Sequence, residues 1–254
     1  NRLMVLNLET KKVRRITDGS TWYSTSGGFD YAWSPDSKWF TLEFIGNKHD
    51  PYSDIGLVSA QGNGEIINLT NSGYSSGSPS FALDGNAILF TTERYGMRAH
   101  ASWGSLDDAM LVFLNQDAYD KFSLSKEDYE LYKEANSDRK KVAAKDSSKV
   151  KDVVVELKNI EDRIVRLTPN SSNMGSTLIS KDGKTLYYLA STESGRNLWK
   201  MDLNKKETKL LHKVDAGWSS LEMDKEGKTL FILNGKNTVS YTHLRAHETG
   251  RNLV

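Results

Sequence analysis

One turn recurs along the chain, each time followed by a short apolar strand, and a common strand ending closes most units. Together they predict an all-β chain: an incomplete β-propeller of four-stranded blades with one short helical and disordered insertion. The turn reads Ser34-Pro35-Asp36-Ser37-Lys38, Ala82-Leu83-Asp84-Gly85-Asn86, Ser180-Lys181-Asp182-Gly183-Lys184 and Asp224-Lys225-Glu226-Gly227-Lys228. Asp-Gly between apolar runs favours a hairpin, because glycine adopts positive φ without steric cost. The closing segment reads Arg15-Ile16-Thr17-Asp18, Asn68-Leu69-Thr70-Asn71 and Arg166-Leu167-Thr168-Pro169. Turns about 40–50 residues apart, with some four short strands between them, have the period of propeller blades. An ordinary β-sandwich is the competing architecture, but sandwiches rarely repeat one turn chemistry at so long a period.

Taken in order, residues 1–17 read as the last two strands of one blade and residues 29–70 as a second blade. Residues 79–168 make a third with an insertion, 176–211 a fourth, and 218–233 begin a fifth. The strands after the turns are Trp39 to Phe44, Ala87 to Thr92, Thr185 to Leu189 and Thr229 to Leu233. Cores such as Ile88-Leu89-Phe90 and Leu230-Phe231-Ile232-Leu233 are continuously apolar, which means a sheet covered on both faces. Asp54 to Val58 and Asn197 to Met201 supply further strands. The propeller region is thus residues 1–237, starting and stopping in mid-blade.

The β pattern breaks over about residues 115–158, within the third blade. Gln116 to Phe122 reads as a short helix, and Ser125-Lys126-Glu127-Asp128 as a capping box opening a second. From Asn136 to Asp152 the chain is rich in Lys and Ser and too poor in apolar residues to offset its ordering entropy by burial. Its Arg139-Lys140-Lys141 cluster reads as solvated loop, because acids are interspersed and no aromatic side chain adjoins it. Strand structure is expected again at Val153-Val154-Val155.

Residues 238–254 read as a non-native tail. The run Val239-Ser240-Tyr241-Thr242-His243-Leu244-Arg245-Ala246-His247-Glu248-Thr249 back-translates in frame to the adapter of transposon-based sequencing libraries, and Leu253-Val254 continue the match. His243 and His247 have the spacing of two metal ligands on one helix face, but the tail reading and the lack of a Glu general base remove them as a metal site.

Composition excludes several functions. The formal net charge of +1 lacks the basic field of a nucleic-acid or membrane-surface binder. No apolar run approaches the roughly 20 residues that span a bilayer. With no cysteine there is no disulfide, zinc ribbon or thiol chemistry. There is no phosphate-binding glycine loop and no H-E-x-x-H, so neither cofactor nor metal is expected. Gly73-Tyr74-Ser75-Ser76-Gly77 matches the G-x-S-x-G elbow but lacks its strand–turn–helix context and reads as a blade-to-blade loop. The adjacent acids Asp107 and Asp108 read as solvated rather than as acid–base groups. The densest chemistry lies in Glu93 to Gly104. There Arg94, Arg98, His100 and Trp103 are candidates to bind a peptide carboxylate or an aromatic side chain, or else they pin the insertion to its blade.

Glu93-Arg94-Tyr95-Gly96-Met97-Arg98, Ser102-Trp103-Gly104, Asn115-Gln116-Asp117-Ala118-Tyr119 and the run from Asn159 to Ser172 resemble the propeller region of bacterial tricorn-like serine peptidases. The resemblance covers about residues 1–237. It implies a large, homo-oligomeric parent with PDZ-like and catalytic domains downstream, peptide substrates and a periplasmic location. Nucleophile and base would lie in that downstream domain, so no catalytic residue is assigned here. The propeller would gate or guide peptides. The alternative is a stand-alone binding propeller of the translocation-associated or surface type, without enzyme activity; such a propeller would rarely interrupt a blade as residues 115–158 do.

Overall fold

The computed structural model describes residues 2–20, 29–46, 52–62, 65–98, 104–136, 150–192, 195–214, 219–234 and 237–242. The chain forms two compact units, Asn1–Ser172 and Asn173–Val254.

In the first unit, β1 (Met4–Leu6) and β2 (Val13–Arg15) pair as a two-stranded sheet. The next sheet holds β3 (Tyr31–Trp33), β4 (Trp39–Phe44), β5 (Asp54–Ser59) and β6 (Ile67–Asn68) in chain order, all antiparallel. The third holds β7 (Ser76–Ala82), β8 (Ala87–Thr92), β9 (Asp108–Phe113) and β10 (Ile164–Arg166) in the same order. This four-stranded meander is the blade read from the sequence. Its shape follows from burial. β5 sends Ile55 and Leu57 into a cluster with Ile88, Phe90, Met110 and Val112 of the third sheet. Its Val58 joins Leu3, Ile16, Phe40 and Leu42 on the other face. A strand that serves two cores cannot alternate apolar with polar, which is why these segments read as continuous apolar runs.

The turns form as expected from local chemistry. Asp36 Oδ1 accepts from the Ser34 hydroxyl and the Lys38 amide, with Ser37 at φ 59°. Asp182 repeats the pattern with Ser180 and Lys184. At the turn between β7 and β8 the left-handed residues are Leu83, Asp84 and Gly85.

The insertion leaves the third blade between β9 and β10. α1 (Gln116–Ser123) is capped by Asn115, whose side chain accepts from the Ala118 amide, and stacks Tyr119 and Phe122 on Phe113. α2 (Lys126–Ala135) is capped by Ser125, which accepts from the Asp128 amide. Residues 137–149, including the basic cluster, lie outside the described residues. Val153-Val154-Val155 forms no strand, a correction to the sequence reading. Val153 and Val155 pack against the core shared by the second and third sheets, and the Val153 amide donates to Asp36 instead of to a ladder. The apolar run signalled burial and not pairing. The return is fixed by Arg163, only 3% exposed, which donates to the carbonyls of Phe113, Glu156, Lys158 and Asn159.

The second unit repeats the blade with β11 (Asn173–Ile179), β12 (Thr185–Thr192), β13 (Gly195–Asp202) and β14 (Glu207–Lys213). A three-stranded sheet follows: β15 (Ser220–Met223), β16 (Leu230–Asn234) and β17 (Asn237–Tyr241). Leu189, Leu198, Leu221 and Ile232 form its core. Pairing continues past residue 237. β17 bonds along β16 up to the Leu230–Tyr241 pair, and Tyr241 packs beside that core. The third strand of this sheet therefore runs from Asn237 to Tyr241. A ladder needs only backbone N–H and C=O groups, which any sequence supplies. Residues 243–254, with His243 and His247, lie outside the described residues.

Candidate functional site

At one end of the second and third sheets, β5 and β9 begin and β6 and β10 end, and both sheets build the same lock there. In the second sheet Asp54, 2% exposed, takes bonds from the Thr70 hydroxyl at 2.7 Å, the Ser72 amide at 3.0 Å and the Asn68 amide group at 2.9 Å. In the third, Asp108 is 0% exposed. Its Oδ1 accepts from Arg166 Nε and Nη2 at 3.0 and 2.9 Å and from the Thr168 hydroxyl at 2.7 Å; its Oδ2 accepts from the Ser171 hydroxyl at 2.7 Å. Both threonine hydroxyls also accept a strand amide, from Ile55 and from Ala109. Thr17 does the same for Leu3 in the two-stranded sheet. The repeated Leu-Thr or Ile-Thr ending is thus the clamp that ties the fourth strand to the third. Asp108 is not solvated, as its sequence neighbourhood suggested. Its charge is offset by a guanidinium and two hydroxyls contributed from across the insertion.

Asp107 differs from both. Its backbone bridges to Ser172. Burial first, then the Glu93 and Asp108 carboxylates, push its carboxyl up to about 6. This too corrects the expectation of a solvated acid. The position matching Asp107 in the second sheet is Ser53, whose hydroxyl donates to the Ser76 carbonyl at 2.9 Å. Nearby Glu43 is raised as well, by burial and then by Asp30, opposed by the Ser53 hydroxyl.

The connection from β8 to β9 carries the arginines. Arg98 pairs with Ser105, and the Leu106 amide donates to Met97 O. This hairpin requires glycine at position 96, where a Cβ would stand 1.7 Å from Leu106 O. The Arg98 guanidinium lies 5.9 Å from the Tyr52 ring centroid and 5.7 Å from that of Tyr74. Arg94 and Arg166 both face the Tyr95 ring, at 5.7 and 4.8 Å. The two tyrosines that hold Arg98 come from different connections but share one anchor. Tyr52 adjoins Ser53, Tyr74 lies two residues before Ser76, and Ser53 and Ser76 bond to each other twice. Ser72, fixed on Asp54, also bonds both to and from the Tyr74 backbone. Tyr95 and Met97 are exposed by 48% and 79%.

Arg94 and Arg98 lie on the same connection but face different rings, Arg94 that of Tyr95 and Arg98 those of Tyr52 and Tyr74, while His100 and Trp103 lie outside the described residues. Tyr52, Tyr74 and Arg166 escaped the sequence reading. Arg166 and Tyr74 stood in motifs singled out for other reasons, and Tyr52 gave no signal of its own. Ser75 lies in the loop before β7, a strand and not a helix. Beside it, the Ser76 hydroxyl is spent on Thr92. Among the described residues, no group of three or more Asp, Glu or His side chains is placed to hold a metal. No helix among them is long and apolar enough to cross a membrane.

No family model matches the chain, and no curated protein matches its sequence. Solved structures match its fold. Over 94% of this chain it is similar to the tricorn protease, with TM-score 0.61 and 12% identity. Over 91% it is similar to TolB from Acinetobacter baumannii, with TM-score 0.54 and 15% identity. Over 98% it is similar to a prolyl endopeptidase, with TM-score 0.50 and 12% identity. It spans 23%, 42% and 32% of those chains respectively. The matching regions are β-propellers, and this chain has the β-propeller fold.

Proposed function

We propose that this chain is a non-catalytic propeller region of a tricorn-like serine peptidase, and that it receives peptides and guides them to a catalytic site carried elsewhere in its parent. The observation that carries the reading is the exposed arginine–tyrosine end of the second and third blades. Aromatic faces and guanidinium groups together bind extended peptides through stacking and through charge-assisted bonds to main-chain and terminal groups. The residues of this end overlap the segment in which the chain resembles such peptidases. A periplasmic location, PDZ-like and catalytic partner domains and a homo-oligomeric parent belong to the same proposal.

The similarity to TolB favours a second reading, a binding propeller without an enzyme. One pair of measurements separates them. The purified chain should bind short peptides saturably without hydrolysing them, and Ser75→Ala should leave any background rate unchanged. In the intact parent, shortening the 94–103 segment should shift the length selectivity of cleavage. A parent without peptidase activity would favour the binding propeller. Saturable hydrolysis by this chain, abolished in Ser75→Ala, would overturn both readings.

A further inference from the structure

We propose that Glu93 and Asp107 form a proton-operated latch at the neck of the connection from β8 to β9: while the pair holds a proton the two arms of the connection stay closed, and losing it parts them. The device does not depend on what the connection binds.

The register of the blade carries the inference. The β8–β9 ladder ends on the Thr92–Asp108 pair, and one step further the same register sets Glu93 directly opposite Asp107. Like charges directly opposite each other on neighbouring strands repel. The second blade is built otherwise. Its β4–β5 ladder ends on the Phe44–Asp54 pair, and one step further stand Ile45 and Ser53, neither of them charged. The third blade thus places two acids at the point where the arms of its connection leave the sheet.

The groups around Asp107 leave its charge unopposed. On its own strand Asp108 has the same sign and is spent on Arg166, Thr168 and Ser171. Past the end of β10, the Asp107 backbone bonds both ways with Ser172, but the buried Ser172 hydroxyl makes no hydrogen bond among the described residues. On the connection, Arg94 faces the Tyr95 ring and Arg98 those of Tyr52 and Tyr74. Burial, then Glu93, then Asp108 push the Asp107 carboxyl from 3.8 up to about 6. The closed neck therefore carries a proton here in mild acid and loses it as the solution turns neutral.

Few contacts oppose the repulsion. The Glu93 amide donates to the Ser75 carbonyl, the Leu106 amide donates to that of Met97, and Arg98 bridges to Ser105. Tyr95 and Met97 are exposed, so burial of their apolar surface adds little. At Gly96 the arms meet backbone to backbone, a Cβ there standing 1.7 Å from Leu106 O. The closed neck has no slack in which the two acids could separate without breaking these bonds.

The test is amide hydrogen exchange of the full chain, read by mass spectrometry at about pH 5 and about pH 7.5, each rate divided by its intrinsic value at that pH. Protection in residues 93–107 should fall about tenfold at the higher pH. The gap between 3.8 and about 6 caps the effect at roughly a hundredfold. Amides inside β8 and β9 should keep their protection. Asp107→Asn should hold the neck closed at both pH values, and Glu93→Gln should shrink the response. Two other groups titrate nearby: His100 within the connection, and Glu43 on β4, raised by burial and then by Asp30. His100→Gln and Glu43→Gln should each keep the wild-type response. Equal protection at both pH values would overturn the latch, as would a response that survives Asp107→Asn or vanishes in His100→Gln. Faster exchange spread evenly through the third blade would overturn it too. Glu93→Gln decides the matter even where Asp107→Asn does not fold, since an undiminished response there removes one half of the pair.

Discussion

The second and third blades of the first unit share one frame and differ in what they hang on it. Each starts its third strand with a buried aspartate clamped by a threonine two residues after the Asn or Arg that also binds it. In the second blade the donors are neutral and the connection from third to fourth strand is short. In the third, a guanidinium is added and the connection carries two helices. The residue before the lock is a hydrogen-bonded Ser53 in one and an uncompensated Asp107 in the other. The lock is therefore scaffolding common to both blades. What the third blade adds is the connection that carries Arg94 and Arg98 and the raised carboxyl of Asp107.

The largest expected effect falls on the lock itself. Asp108→Ala strands a partly buried guanidinium and two hydroxyls, and should cost about 3–5 kcal/mol in urea unfolding. Asp54→Ala strands neutral donors and should cost about 1–3 kcal/mol. Equal losses would show that Arg166 adds nothing that Asn68 does not. Next, Gly96→Ala forces the third-blade hairpin open and should cost on the order of 1–3 kcal/mol through steric displacement, with a loss of peptide binding. Wild-type affinity in that variant would show that the hairpin does not receive the peptide.

A smaller effect is expected from giving the third blade the residue of the second. Asp107→Ser removes a carboxyl whose ordinary value is 3.8 and whose folded value is about 6. Between those values the folded state binds the proton more tightly than the unfolded one. The stability it contributes is full below the ordinary value and is lost as pH rises through about 6. The variant should therefore be more stable at pH 7 than the parent chain, with a flatter stability profile between pH 4 and 6. Glu43, shifted in the same direction, retains part of the slope. A destabilised variant at pH 7 would mean that Asp107 is paired. The smallest effect belongs to the insertion: Ser125→Ala removes the cap of α2 and should cost about 1 kcal/mol of helix stability, leaving the blades untouched.

What the sequence revealed and what it hid divide by range. Turn chemistry is written within five residues, so Ser34–Asp36 and Ser180–Asp182 announced their hairpins, and Ser125 with Asp128 announced α2. Asp108 could not be read this way. Its partners stand 58, 60 and 63 residues away, beyond the insertion, and two adjacent acids with no visible counter-charge look solvated. The signal that would have found them is the second blade, where Asp54 and Thr70 show the same pairing at a separation of 16. Tyr52 and Tyr74 were hidden for a similar reason. They meet Arg98 only because the Ser53–Ser76 bonds bring two connections together.

The most direct test of the proposed peptide-receiving role is photo-cross-linking. A short peptide with one photoreactive residue would be irradiated with the full chain, and the attachment points mapped by mass spectrometry. Saturable labelling confined to the neighbourhood of Tyr52, Tyr74 and residues 93–107, displaced by unlabelled peptide and lost in Arg98→Ala, is the expected result. Saturable labelling concentrated in residues 173–242 and unaffected by Arg98→Ala would contradict it.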